Sequence, residues 1–446
     1  MENSKEIKAK RRLNRGNNKL LFTLISILLG LLVGAIVLLI SGYNPLEAYK
    51  ALIEGVFKTP RHIGWAIVSS TPIILTGLGV CFAFKTGLFN MGAEGQFIIG
   101  SVVGFLVGYA LPLPPIIHPI VAILLAMLAG ALYGALAGFI KSKFGIHEVI
   151  STIMLNWVAF YFSNFIANAY IKPNSMASFD VLDTAKITIM SKKAAKTMGP
   201  FFSKFFRAPI HWGTLLAIVA VIIVWYILNK TVLGYQLKAV GYNREASEYG
   251  GIDSGKKIVQ SMAISGAICG LAGATQILGY IYSLSVTSAM ANYGFDGLAV
   301  SLLASNNPIG VIFSGLFFGS LTYAGNNLQR VLGVPSELIS VIIGTIILFT
   351  AVPLVFRIIR AKHRNRKNKK SANNIVDKDN KDSNIEKEEK PAKDQKTDIN
   401  SEDKNLEERL KEEKVSDHNS TDKSSSRVIN ETGEDIIVKN IESEDE

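Results

Sequence analysis

The sequence predicts an all-α, polytopic membrane protein. Three observations carry that reading: serial apolar runs of transmembrane length, an uneven division of charge, and cysteines that form no framework. The chain has 446 residues, 49% of them hydrophobic and 19% charged, with a net charge of +11. A hydrocarbon core of roughly 30 Å is crossed by about 20 mostly apolar helical residues, and runs of that kind follow one another here. Residues 1–356 hold 26 Lys/Arg and 13 Asp/Glu, whereas residues 357–446 hold 21 and 23. Cys81 and Cys269 both sit in apolar runs, with neither disulfide nor metal-ligand spacing. These features speak against a soluble enzyme, a secreted disulfide scaffold and a nucleic-acid-binding domain. In a membrane chain an excess of Lys and Arg marks the cytoplasmic side.

The elements follow in order. Residues 1–19 carry seven basic side chains (Lys5, Lys8, Lys10, Arg11, Arg12, Arg15 and Lys19) before the uncharged run Leu20 to Ser41. That run is too long for a signal peptide and lacks a cleavage site, so it predicts an uncleaved first span with its N-terminus inside. Further spans are expected at 65–84, 97–113, 117–140, 149–170, 212–228, 258–283, 308–325 and 338–356. Pro112, Pro114, Pro115 and Pro119 divide the charge-free stretch from Phe97 to Ile140, because proline ends or kinks helices. Nine spans would leave the basic segment Arg357–Lys370 outside; a crossing or half-crossing at 294–305 makes about ten and returns both termini to the cytoplasm. The external loop 171–211 is itself basic, but long loops weigh little in the orientation rule.

Glycines recur at four-residue spacing: Gly100, Gly104 and Gly108; Gly130, Gly134 and Gly138; and the pairs Gly30/Gly34, Gly266/Gly270 and Gly315/Gly319. Small residues at this spacing let helices approach closely in lipid, either within the chain or between two copies.

Gly250 to Lys257 nearly matches a phosphate-binding GxxxxGK[ST] loop, but the final hydroxyl and the preceding strand are missing. The cytoplasmic loop 229–257 reads better as a short amphipathic helix, in which Leu237, Val240, Tyr242 and Tyr249 interleave with charge. Such a helix suits docking in a partner's groove; the plainer reading is a solvated connection. Its Glu245-Ala246-Ser247, with Gly251 four residues on, resembles the Glu-Ala-Ala-x-x-x-Gly element of ABC importer permeases.

Thr86 to Gln96 interrupts two apolar spans with three glycines, Asn90, Glu94 and Gln96. Irregular backbone at membrane depth needs protein or a water-filled cavity to satisfy it, and an intramembrane carboxylate is a functional candidate. The segment reads as a structural turn or as part of a substrate pathway. Asn156 and Gln276 are further polar groups in the spans, suited to inter-helix hydrogen bonds or to a polar solute's edges. No catalytic arrangement and no metal-ligand cluster is visible.

Lys85 to Gln96, Phe144 to Met154, Gly234 to Ile252 and Gly294 to Val300 together resemble the branched-chain amino acid/ribose-type ABC importer permeases. Within that family they are most similar to the nucleoside (guanosine-type) permease subunit, in consistent order over about residues 20–356. The resemblance implies a vitamin-B12-importer-like bundle of about ten helices that binds no cofactor itself. It also implies a second permease subunit forming a heterodimer, a separate ABC ATPase that hydrolyses ATP, and an extracytoplasmic nucleoside-binding lipoprotein. It assigns the ATPase-coupling role to Arg244, Glu245, Ala246, Ser247 and Gly251. Asn90, Glu94, Gln96, Asn156 and Gln276 are the substrate-pathway candidates. The Glu-Ala-Ser element lacks the family's Ile-x-Leu-Pro continuation. The segment 357–446 has no family counterpart, and its charge-rich composition predicts a disordered cytoplasmic tail. The same architecture importing a simple sugar is the nearest alternative. An ion-coupled secondary transporter and a membrane scaffold organised by the tail are more distant ones.

Overall fold

Apolar helices that cannot leave backbone groups unpaired in lipid account for most of the chain in the computed structural model, which describes residues 27–190, 199–335, 338–345 and 348–349. The basic N-terminus, the start of the first span, the end of the last and the tail 357–446 lie outside the described residues. Among those described there is no strand, only isolated bridges.

In chain order the helices are α1 (Ile27–Ile40), α2 (Pro45–Phe57), α3 (Pro60–Phe84), α4 (Ala93–Ala110), α5 (Ile117–Phe144) and α6 (Glu148–Ala169). Then come α7 (Pro200–Phe205), α8 (Trp212–Lys230), α9 (Val232–Tyr242), α10 (Arg244–Tyr249), α11 (Ser254–Gln276), α12 (Tyr293–Leu303) and α13 (Pro308–Leu332), with residues 338–345 helical as α14. A π-turn, Ile277–Ile281, extends α11. Seven of the described helices are long and apolar enough to cross a membrane, and α1 and α12 are shorter apolar helices. The protein is therefore a multi-pass, all-helical membrane protein.

Local chemistry sets the ends. Asn44, His147, His211, Asp253 and Asn307 cap α2, α6, α8, α11 and α13 by accepting a first-turn backbone N–H, as the orphan donors there require. Gly145 and Gly333 close α5 and α13 in left-handed conformation, where glycine carries no Cβ penalty. Helix α2 was not foreseen as a separate element. It is short, with Lys50 and Glu54 exposed and Leu52 and Val56 buried.

The core is the α4–α5–α11 stack with α3 beside it. A Cβ on Gly266 would lie 2.1 Å from the Gly130 carbonyl oxygen, and one on Gly100 would lie 2.5 Å from Gly270. The glycine faces of α4 and α5 are thus covered inside the chain. Gly315 and Gly319 of α13 similarly admit Ile74 and Ser70 of α3.

Helix α12 begins beside the middle of α3 and the first turn of α4. The Thr76 hydroxyl of α3 donates to the Tyr293 carbonyl at 2.8 Å, and Gly294 packs on the Glu94 backbone. Its 11 residues span about 16 Å, close to half the roughly 30 Å of a bilayer's hydrocarbon core. The chain reaches it through the non-helical segment 282–292.

Candidate functional site

Two short helices, α9 and α10, replace the single amphipathic helix expected in the loop 229–257. Asn243 separates them and caps α10, its Oδ1 accepting from Ala246 N at 3.0 Å. Leu237 and Val240 turn inward and are buried, while Gly241 packs against the backbone of Lys85 to Gly87. Tyr242 and Tyr249 are 90% and 98% exposed. Of the four apolar residues singled out in sequence, two anchor the loop to the membrane domain and two project from it.

A small polar network braces α10. Arg244 Nε reaches Glu248 at 3.2 Å and the Ser254 hydroxyl at 3.0 Å, and Ser254 also bonds to Glu248. The Ser254 hydroxyl, and after it the Arg244 guanidinium, hold the Glu248 carboxyl below its ordinary range. Asp253 is likewise lowered, first by the Lys256 backbone N–H it caps and then by the Lys256 side chain. Ser247 is buried and donates to the Arg244 carbonyl at 2.7 Å, and Gly251 takes a left-handed turn at φ +81°. The near-miss phosphate loop is therefore a helix stop, a turn and a capped helix start.

The five pathway candidates divide. Asn90 Nδ2 donates to Gln96 Oε1 at 2.9 Å and to Ser265 at 2.8 Å, and Gln96 returns a bond to Asn90. Asn156 accepts from Gly95 N at 2.8 Å and donates to Met91 O at 2.9 Å. Glu94, fully buried, accepts from Asn292 N at 2.9 Å and Gly294 N at 2.5 Å. These four tie the turn before α4 to α6, α11 and the start of α12. Gln276 differs: it lines a cavity of about 250 Å³ between α4, α6, the π-turn and the segment 282–292.

Two contributors, Glu148 and Asn164, stand out in sequence as polar groups in or beside the spans but lie outside the five pathway candidates. Glu148 pairs with Lys141 and accepts from Phe89 N at 3.2 Å, closing the same turn from the α5–α6 junction. Asn164 holds the cavity wall, donating to Thr287 O at 3.0 Å and accepting from Thr287 N at 3.1 Å. Asn164 was visible as a polar residue in an apolar span. Its partner was not, because 123 residues separate them.

The segment after α6 runs along that wall. Ser178 N donates to Leu284 O at 2.7 Å, Val181 N to Tyr282 O at 2.8 Å and Val286 N to Met176 O at 2.9 Å. Among the described residues no group of His, Cys, Asp and Glu is placed to hold a metal.

Comparison with known proteins places this geometry in context. The family described as branched-chain amino acid transport system / permease component matches residues 63–351. The guanosine ABC transporter permease protein NupP of Bacillus subtilis is 39% identical over 355 residues, covering 79% of this chain and 98% of its own. The nucleoside ABC transporter permease protein NupB of Lactococcus lactis is 33% identical over 351 residues, 78% of this chain and 95% of its own. The glucose ABC transporter permease protein TsgB13 of Haloferax volcanii is 28% identical over 336 residues, 75% and 87% of the two chains. No solved structure matches. With α12, the turn before α4 and the 229–257 loop all inside the matched region, the chain belongs to the family of branched-chain amino acid transport system permease components.

Proposed function

We propose that this chain is the permease subunit of an ATP-driven ABC importer of nucleosides, with no catalysis of its own. The observation that carries the reading is the match to the guanosine permease over 98% of that protein's length. The glucose permease is more distant at 28%, which ranks a sugar cargo second.

In this reading α9 and α10 form the coupling element. Arg244, Glu245, Ala246, Ser247 and Gly251 present the exposed Tyr242 and Tyr249 to a groove of a separate ATPase, which hydrolyses ATP. Helix-in-groove recognition calls for aromatic anchors on a rigid mount, and the buried Leu237 and Val240 supply the mount. Asn90, Glu94, Gln96 and Asn156 position the pathway by fixing α4 and α12, and Gln276 borders it. The permease domain is 20–356, completed to about ten spans in a vitamin-B12-importer-like bundle, with both termini and the tail 357–446 cytoplasmic. A second permease subunit in a heterodimer and an extracytoplasmic nucleoside-binding lipoprotein complete the assembly.

The test is uptake of labelled guanosine and labelled ribose by cells deleted for this chain and by the complemented strain. The reading expects deletion to remove guanosine uptake and complementation to restore it, with ribose uptake unchanged. The reverse pattern would transfer the assignment to sugar.

A further inference from the structure

The cavity beside α12 has a chemistry that neither the family nor the coupling element explains. Its one wall is aromatic: the Phe97 and Tyr293 rings lie 5.1 Å apart, tilted by 47°. Phe160 of α6 lines the same space. A planar ring gains about 1–3 kcal/mol by stacking on such a face, whichever base it belongs to.

Polar side chains, Ser101, Asn164, Gln276 and Thr287 among them, line the rest of the cavity. Gln276 is 3% exposed, and its Nε2 commits one hydrogen bond to the Tyr293 hydroxyl at 3.0 Å. Among the described residues no donor reaches its Oε1, so the amide retains an acceptor for the edge of a ligand. The volume of about 250 Å³ falls just below the roughly 300–1,000 Å³ of ordinary small-molecule sites. It suits a small solute.

The start of α12, whose Tyr293 lines the cavity, bears on the charge of that solute. A helix start attracts anions, through unpaired N–H groups and the helix dipole. Here Glu94 already accepts from Asn292 N and Gly294 N. The chain's own carboxylate thus takes the N–H groups that an amino acid's carboxylate or a nucleotide's phosphate would need. What remains is space for a neutral, flat, hydrogen-bonding solute.

We propose that this cavity is a nucleoside site inside the membrane domain, with the base against the Phe97–Tyr293 wall and Phe160 and its edge read by Gln276. The assignment rests on the nucleoside-importer reading above. The wall is also the segment that the external loop pairs with, so the site borders the face where an extracytoplasmic donor delivers its cargo.

The experiment measures guanosine and uridine uptake by cells carrying the complete importer, with Ser163→Trp and Gln276→Leu introduced singly. Ser163 lines the cavity and is half-exposed, so a tryptophan there enters the cavity without displacing a buried side chain. With the chain at normal level in the membrane, Ser163→Trp is expected to lower uptake of both nucleosides at least tenfold. Gln276→Leu is expected to lower guanosine uptake about tenfold and to change the guanosine-to-uridine ratio, which a folding defect scales out. Unchanged uptake in both variants, or an unchanged ratio in Gln276→Leu, overturns the site while nucleoside import stands. Absence of guanosine uptake by the unmodified importer removes the functional reading itself.

Discussion

Residues 85–92 and 282–292 both interrupt apolar helices, and both bring irregular backbone into a membrane domain. They are built in opposite ways. The first is closed by side chains: Asn90 bonds Gln96 and Ser265, and Asn156 and Glu148 take backbone groups of Met91 and Phe89. The second is held at its margins by Asn164, Ser178 and Glu94, and its middle lines the cavity of about 250 Å³. Backbone away from water must be satisfied by protein or line a wet space; the chain uses one solution on each side of α4. The closed turn is a fixed mount, and the open one is a wall.

Several substitutions sharpen that difference. The largest effect is expected in the packed stack that supports both. Gly266→Val would drive a side chain into the Gly130 carbonyl, where a Cβ already lies at 2.1 Å. Neither backbone can yield, so the cost reaches or exceeds the upper end of the ~1–3 kcal/mol of overpacking. The folded chain recovered from membranes should fall to near zero.

Next comes Asn156→Leu in the closed turn. It strands the Gly95 N–H and the Met91 carbonyl, each at about 1–3 kcal/mol, and should lower the thermal midpoint in detergent by several degrees. Asn164→Leu removes two bonds of the same kind from the open segment, but water in the cavity can replace them. Its midpoint should move by less than half as much, with guanosine uptake falling more than stability. Equal stability losses at the two asparagines would erase the distinction between mount and wall.

In the loop 229–257, on the proposed coupling role, Glu245→Lys and Gly251→Trp should uncouple ATPase stimulation from uptake while leaving membrane insertion intact. Both positions are exposed. Smallest is a pH effect on α10. The depressed Glu248 carboxyl contributes to loop stability above its unfolded value of roughly 4.3 and loses that contribution as pH falls through its lower folded value. Amide exchange at 244–254 should therefore quicken in acid, and less so at high salt, since the pair is exposed.

Much of this was legible in sequence because it is one-dimensional. Apolar runs gave the long helices, Pro112 to Pro119 divided α4 from α5, and the four-residue glycine spacing located the faces that meet. Residues 229–257 read in sequence as one short amphipathic helix, yet periodicity could not say that Leu237 and Val240 face the protein and Tyr242 and Tyr249 face out. Hydropathy left open whether 294–305 crosses; the structure makes it a helix of 11 residues whose start packs on Thr76 of α3. Glu94 stood out as an ionisable group in an apolar stretch. Its partners, Asn292 and Gly294, lie about two hundred positions along the chain, and no local pattern announces them. The same holds for Asn164 and Thr287.

The most direct test of the central claim reconstitutes the complete importer in liposomes and follows labelled guanosine with ATP on the ATPase side. The account predicts accumulation that requires hydrolysable ATP, survives dissipation of ion gradients and is lost in Glu245→Lys. Accumulation that proceeds without ATP and collapses with an ion gradient would contradict it.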